Sequence, residues 1–186
     1  MTEFDLIETT IAEVHAAMAA GDTSAAALVD RYRARIAAYD SALNAVLTLN
    51  DDAPARAKEL DAQFAADGPV GPLHGVPLLV KDNHDTGDMP TTAGAQALAD
   101  SRPARDATVV EQLRDAGAVV LGKTTLQELS FGVDTVSSLG GATRNPYDTD
   151  RRPSGSSGGT AVAVASNLAA IGTGTDTCSS VRSPPG

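Results

Sequence analysis

The chain has 186 residues, enough for one domain with a sizeable core, and its 42% apolar content is ordinary for a folded protein and excludes wholesale disorder. Its 24 acidic against 14 basic side chains give a formal charge of −10, which opposes nucleic-acid phosphates and anionic membrane surfaces. Tryptophan is absent and aromatics amount to 3%, so no base-stacking platform is available, and the single cysteine, Cys178, excludes an internal disulfide.

Ile7, Ile11, Val14, His15 and Met18 fall near one face of a first helix that Gly21 can cap in the left-handed conformation. Thr23 reads as the N-cap of a second helix, whose apolar stripe is Leu28, Tyr32, Ile36 and Ala37. Asn44 to Leu49 then reads as a strand, and residues from about Ala53 to Ala65 as a third helix, ended by Pro69, Gly71 and Pro72. From Gly75 the pattern alternates: VPLLVKDN is a buried strand, Ala107 to Ala116 a helix and AVVLGKT a second buried strand. Residues 132–153 are rich in Gly, Ser, Asn and Pro and read as a long irregular connection, the kind that carries function. A small-residue helix from Gly158 to Asn167 and a strand from Ala170 to Gly172 follow. The expected fold is α/β, a single domain 1–186 in which a helical layer, 1–68, precedes an α/β part, 69–186, with a mixed sheet and covering helices. No charged-then-apolar leader and no bilayer-long apolar run is present, and one cysteine suits a reducing compartment, so the expected location is cytoplasmic.

Three patterns compete for the chemistry. Gly117 to Thr124 spells the phosphate-loop pattern GxxxxGK[ST], but a helix precedes it and AVVL between its glycines is strand-like, so nucleotide binding is disfavoured and Lys123 reads as a loop residue at a strand end. Gly155 to Gly159 spells GxSxG, yet His15, His74 and His84 all lie upstream, so the order serine, acid, histidine is not met. The histidines also lack metal-ligand spacing, and no metal or other cofactor is expected. The third pattern joins Lys81, an ionisable residue ending an apolar strand, to two serine clusters, Ser156-Ser157 and Ser179-Ser180.

Lys81 in VKDN, the run GSSGG and the block GTDTCSSVR together resemble the amidase signature family of carbon–nitrogen hydrolases, with HGVPLLVKDN, TTAG, GAVVLGKT and TRNPYD as supporting phrases. The likeness runs from about residue 70 to the end of the chain, and the half of such enzymes that follows the nucleophile has no counterpart, so the fold is expected to be incomplete. The resemblance implies Ser180 as nucleophile, Ser156 as a bridging serine beside a cis peptide, and Lys81 as base. Thr177, Cys178 and Ser179 would lend backbone N–H groups to an oxyanion hole. Ser157, Asp176 and Arg182 would support them, Asp176 by holding the loop and Arg182 as its ion-pair partner. A free lysine is neutral only about once in 2,500 at pH 7, so burial must lower Lys81 toward roughly 7 to 8 for it to act as a base.

Cys178 and Ser179 stand where the family usually has two glycines, and Ser154 and Pro185 also depart from its pattern. At positive φ such side chains would cost about 1 to 3 kcal/mol each. Cys178 itself reads as a small packing residue, since no base is near it in sequence. The implied function is amide hydrolysis through an acyl-enzyme on Ser180. The alternatives are a truncated, inactive amidase fragment and the A-type subunit of a tRNA-dependent amidotransferase. The expected partners are a small-molecule amide and a second copy or completing chain that covers the open sheet, with no nucleic acid and no membrane.

Overall fold

A capping box starts the first helix: the Glu13 N–H donates to the Thr10 hydroxyl while the Thr10 N–H donates to the Glu13 carboxylate, so α1 runs Ile11–Ala20. The computed structural model describes residues 4–183, so Pro185 lies outside the described residues. Gly21 closes α1 at φ 76°. The cap of α2 (Ala25–Leu43) is Ser24, one residue beyond the expected Thr23, because the Ser24 hydroxyl accepts from the Ala27 N–H. The next two free donors of α2, the N–H groups of Ala25 and Ala26, go to the Asp61 carboxylate on α3 (Ala53–Asp67), which ties the two helices together.

Between those helices, β1 (Val46–Leu49) leaves the helical layer and enters the sheet. The other sheet strands are β2 (Pro77–Lys81), β3 (Val119–Thr124) and β6 (Ile171–Gly172), in the order β1-β3-β2-β6. β1 runs antiparallel to β3, whereas β2 is parallel to both β3 and β6. One face of the sheet carries Leu79, Val119 and Leu121 and packs against α1, α2, α3 and α5 (Gly158–Ala165). The other face carries Leu78, Val80 and Val120 and packs against α4 (Thr108–Asp115) and Met89. Residues 132–153 are less irregular than expected: they contain a two-stranded ribbon, β4 (Val136–Ser137) with β5 (Gly141–Ala142), strands too short to show a periodic pattern. No helix among the described residues is long and apolar enough to cross a membrane.

One irregularity decides where the chemistry sits. The register of β2 on β3 shifts between Leu78 and Leu79, so that Val80 pairs with Lys123 and Lys81 with Thr124. Paired residues in a parallel sheet share a face. Lys81 and Thr124 therefore point toward α5, where the Thr124 and Thr160 hydroxyls lie 2.7 Å apart, and Lys123 points to the opposite side. Gly122 marks the bulge, since a Cβ there would lie 2.2 Å from the Thr48 carbonyl oxygen.

Candidate active site

β2 delivers Lys81 to the C-terminal edge of the sheet with no exposed surface, and β6 and α5 close around it. Its Nζ donates to Ser156 Oγ at 2.7 Å, to Ser157 Oγ at 2.9 Å and to Thr175 Oγ1 at 2.7 Å. An ammonium has three N–H groups, and three hydroxyls satisfy them. The serines lie at the entry of α5, where the Gly155–Ser156 peptide is cis, Ser156 is fully buried, and the Ser156 carbonyl accepts from the Gln127 N–H. Gly159 brings the helix close, for a Cβ there would meet the Thr125 carbonyl at 2.3 Å. Burial lowers Lys81 from the ordinary lysine value to about 8, and the negative charge of Asp176 opposes part of that shift.

The segment after β6 wraps around Asp176. Its carboxylate accepts from the N–H groups of Ser179, Val181 and Arg182 and, through both oxygens, from the Arg182 guanidinium. The Arg182 hydrogen bond, joined by those backbone N–H groups against a smaller desolvation effect, holds Asp176 well below the usual carboxylate range. Ser180 reaches the lysine cage through its backbone: its carbonyl accepts from the Ser157 N–H at 3.1 Å. Among the described residues no hydrogen bond joins the Ser180 and Ser156 hydroxyls. The Ser179 N–H is taken by Asp176, while no hydrogen bond among the described residues engages the N–H of Thr177, Cys178 or Ser180. Ser179 lies at φ 72° and Ser154 at φ 63°, the left-handed region, whereas Cys178 does not.

Buried lysine, paired serines and a loop rich in N–H donors match a known family. The sequence profile described as Amidase matches residues 27–186. The chain belongs to the amidase family. It is 49% identical over 185 residues to the A subunit of the glutamyl-tRNA(Gln) amidotransferase of Thermobifida fusca, covering 99% of this chain and 37% of the relative. The same amidotransferase component from Acidothermus cellulolyticus is 47% identical, over 97% of this chain and 36% of the relative. Among solved structures, native peptide amidase from Stenotrophomonas maltophilia superimposes with a TM-score of 0.93 at 46% identity, covering 96% of this chain and 38% of that one. A fatty acid amide hydrolase gives a TM-score of 0.91 at 28% identity, covering 98% and 32%. The chain thus spans 32–38% of the length of these amidases and amidotransferase components.

Other sequence readings shift once the fold is seen. Lys123 is not a loop residue: it is fully buried within β3, and its Nζ lies 3.1 Å from Asp82 Oδ1. The two glycines of the phosphate-loop pattern serve packing, Gly122 against β1 and Gly117, at φ 96°, against the backbone of His74. Cys178 is exposed, so it is not the small packing residue expected, because the loop after β6 leaves it facing solvent. His74 accepts from the Val70 N–H, and no cluster of His, Cys, Asp or Glu among the described residues could hold a metal ion. Two participants went unread in the sequence, Thr175 and Asn83; Asn83 Nδ2 donates to Thr175 Oγ1 and to Ser130 Oγ, each at 3.0 Å. Their signal was position alone, Asn83 two residues after Lys81 and Thr175 five before Ser180.

Proposed function

We propose that this amidase-family chain hydrolyses carbon–nitrogen bonds through an acyl-enzyme on Ser180, with Ser156 and Lys81 relaying the proton. The observation that carries the reading is the 2.7 Å contact between Nζ of Lys81 and Oγ of Ser156, both fully buried. In the neutral amine, one lone pair replaces one N–H; with Ser157 and Thr175 holding the other two hydrogens, that lone pair faces Ser156. Ser156 gives its proton to Lys81 and takes one from Ser180, whose oxygen attacks the amide carbonyl. The proton then passes back along the relay to the departing nitrogen, and water repeats the sequence on the ester to release the acid. The Ser156 to Ser180 hydrogen bond is the link that substrate must close, as catalytic hydrogen bonds tighten in the Michaelis complex. The N–H groups of Thr177, Cys178 and Ser180 are the donors free to meet the oxyanion. Ser179 would join them only by leaving Asp176.

We read the chain as one domain, with 1–68 and 69–186 as its helical and α/β parts, working in the cytoplasm on a small-molecule amide without a cofactor. Hydrolysis of C-terminally amidated peptides and of free glutamine tests the reading. Ser180→Ala is expected to lower the rate on the order of 10⁴-fold or more, as in other nucleophile knockouts, and unchanged hydrolysis would refute the assignment.

The identities of 41–49% to the A-type components of amidotransferases favour a second reading, glutamine hydrolysis that supplies ammonia to companion subunits. Glutamine turnover that emerges only when such companions are added, with none on amidated peptides, would select it.

A further inference from the structure

Only three lysines occur in the chain, Lys58, Lys81 and Lys123, and the last two are wholly buried, one on each side of the same sheet edge. The relay uses Lys81. Lys123 has no part in it, yet its ammonium is among the most thoroughly coordinated groups in the molecule. Its Nζ contacts Asp82 Oδ1 at 3.1 Å, His84 O at 3.0 Å, Thr86 Oγ1 at 3.3 Å, Pro90 O at 3.1 Å and Thr91 Oγ1 at 2.9 Å. All five oxygens come from residues 82–91, the loop that leaves β2 directly after Lys81. Five acceptors around three N–H groups describe a chain wound about a cation.

The loop is closed as well as wound. The second Asp82 oxygen accepts from the Thr92 N–H and the Thr92 hydroxyl, and the Asp82 carbonyl accepts from the Ala93 N–H. Asn83 follows at once, and its amide holds Thr175 Oγ1, which also accepts from Lys81. The Ala93 carbonyl in turn accepts from the Leu129 N–H, beside the Ser130 that Asn83 also holds. Strand alternation sends Lys81 to one face and Asp82 to the other, so the anchor lies one peptide from the base without touching it.

We propose that Lys123 is a positioning residue for Lys81: its ammonium is the fixed internal cation around which the 82–92 loop is wound, and through Asp82 and Asn83 it holds the hydroxyl cage in place. Its effect on turnover rests on the amidase reading above; its effect on Lys81 does not. The charged or titratable groups that face Lys81 are Asp176 from the loop after β6 and His84 from the loop after β2, with Lys123 across the strand.

The test follows Lys81 itself, by NMR of the 186-residue chain labelled with ¹³C at lysine Cε. Three lysines give three signals, and the wild-type Lys81 signal is expected to titrate near 8. Lys123→Met with Asp82→Asn removes both charges together and leaves the introduced amide oxygen able to accept from Thr92, so no single charge is stranded in the core. The expected result is a cooperatively folded protein whose Lys81 midpoint rises by about one unit or more toward the free-lysine value, as the loosened cage admits water. A folded double variant with an unchanged midpoint overturns the proposal. If the double variant does not fold, Thr91→Val, which deletes one hydroxyl acceptor and keeps both charges, carries the same readout: a raised midpoint supports the role, an unchanged one overturns it. Where wild-type turnover is measurable, kcat falls about 100-fold with KM nearly constant, the pattern of a misplaced base. A chain in which Ser180→Ala leaves hydrolysis intact fails the functional reading alone, because the Lys81 titration still decides the part played by Lys123.

Discussion

Lys81 carries the proposed chemistry because its surroundings are apolar below and hydroxylic above. The strand PLLVK removes water from its stem, while Ser156, Ser157 and Thr175 accept its three N–H groups without adding a negative charge. With a pKa of about 8, about one molecule in ten holds the neutral amine at pH 7. Because the neutral form is the base, kcat/KM is expected to rise with pH and level off above a midpoint near 8; a profile flat from pH 6 to 9 would exclude Lys81 as the titrating group. The same depressed pKa acts on stability. Between about 8 and the ordinary lysine value of 10.5 the unfolded chain binds more protons than the folded one, so stability rises with pH across that window and is flat below it. Denaturation of wild type beside Lys81→Met should show a steeper slope in the wild type, the part that remains in the variant coming from Lys123, which burial also pushes below the ordinary lysine value. At Ser179, φ 72° places a side chain where glycine is at home, and its hydroxyl makes no compensating hydrogen bond among the described residues. Ser179→Gly is therefore expected to stabilise the chain by up to about 1 kcal/mol, read by urea denaturation, with the N–H to Asp176 bond kept. Lys81, Ser156 and Ser180 were legible as residues because each stands in a distinctive block. Thr175 and Asn83 were not, since a threonine and an asparagine in loops have many duties and only the fold shows that they share one hydroxyl.

At the scale of elements, α5 and β3 fix the geometry. α5 begins at the serines and rests on Thr125, just beyond β3, through Gly159, whose hydrogen faces the Thr125 carbonyl and hydroxyl where a Cβ would stand 2.3 Å from each. Gly159→Ala must push the helix entry away from the sheet. The expected cost is about 3 kcal/mol, with the hydrogen bond from Lys81 to Ser157 broken, and thermal denaturation together with residual amide hydrolysis checks both. A variant as stable as wild type would mean that α5 tolerates the displacement. Most elements were readable from pattern: PLLVK and VVLGKT are continuous apolar runs of strand length, and Gly21 ends its helix in the left-handed conformation. What pattern could not give was the face on which each lysine emerges. Plain alternation along β3 would send Lys123 to the same side as Val119 and Leu121; the bulge at Gly122 reverses it, and a bulge is set by contacts with β1 and β2 that no local periodicity encodes. The ribbon of β4 and β5 escaped notice for a similar reason, since two-residue strands carry no period.

For the whole molecule, the sheet ends on one side in β6, two residues long and paired only with β2 among the described strands. Beside it lies a cleft of about 360 Å³ between α5 and the loops that flank it, walled by Tyr147, Pro153, Val162, Val164 and Val181. Tyr147 is 86% exposed and Val164 and Val181 about 40%, so the wall of the cleft presents apolar side chains to solvent. The charge of −10 resists close approach of two copies, so association should be weak at low salt and strengthen as salt screens that charge. The 186-residue chain is accordingly expected to sediment as a monomer of 18.9 kDa when dilute and to gain mass over roughly 10–100 μM in added salt. Val164→Lys, which places a charge in the apolar wall, should suppress that gain without unfolding the chain, because Val164 is already partly exposed on α5. If mass stays at the monomer value at every concentration and salt, the cleft is a surface that water tolerates. If Val164→Lys associates as strongly as wild type, contact runs instead along the edge of β6, where backbone N–H and carbonyl groups need no apolar side chain to pair.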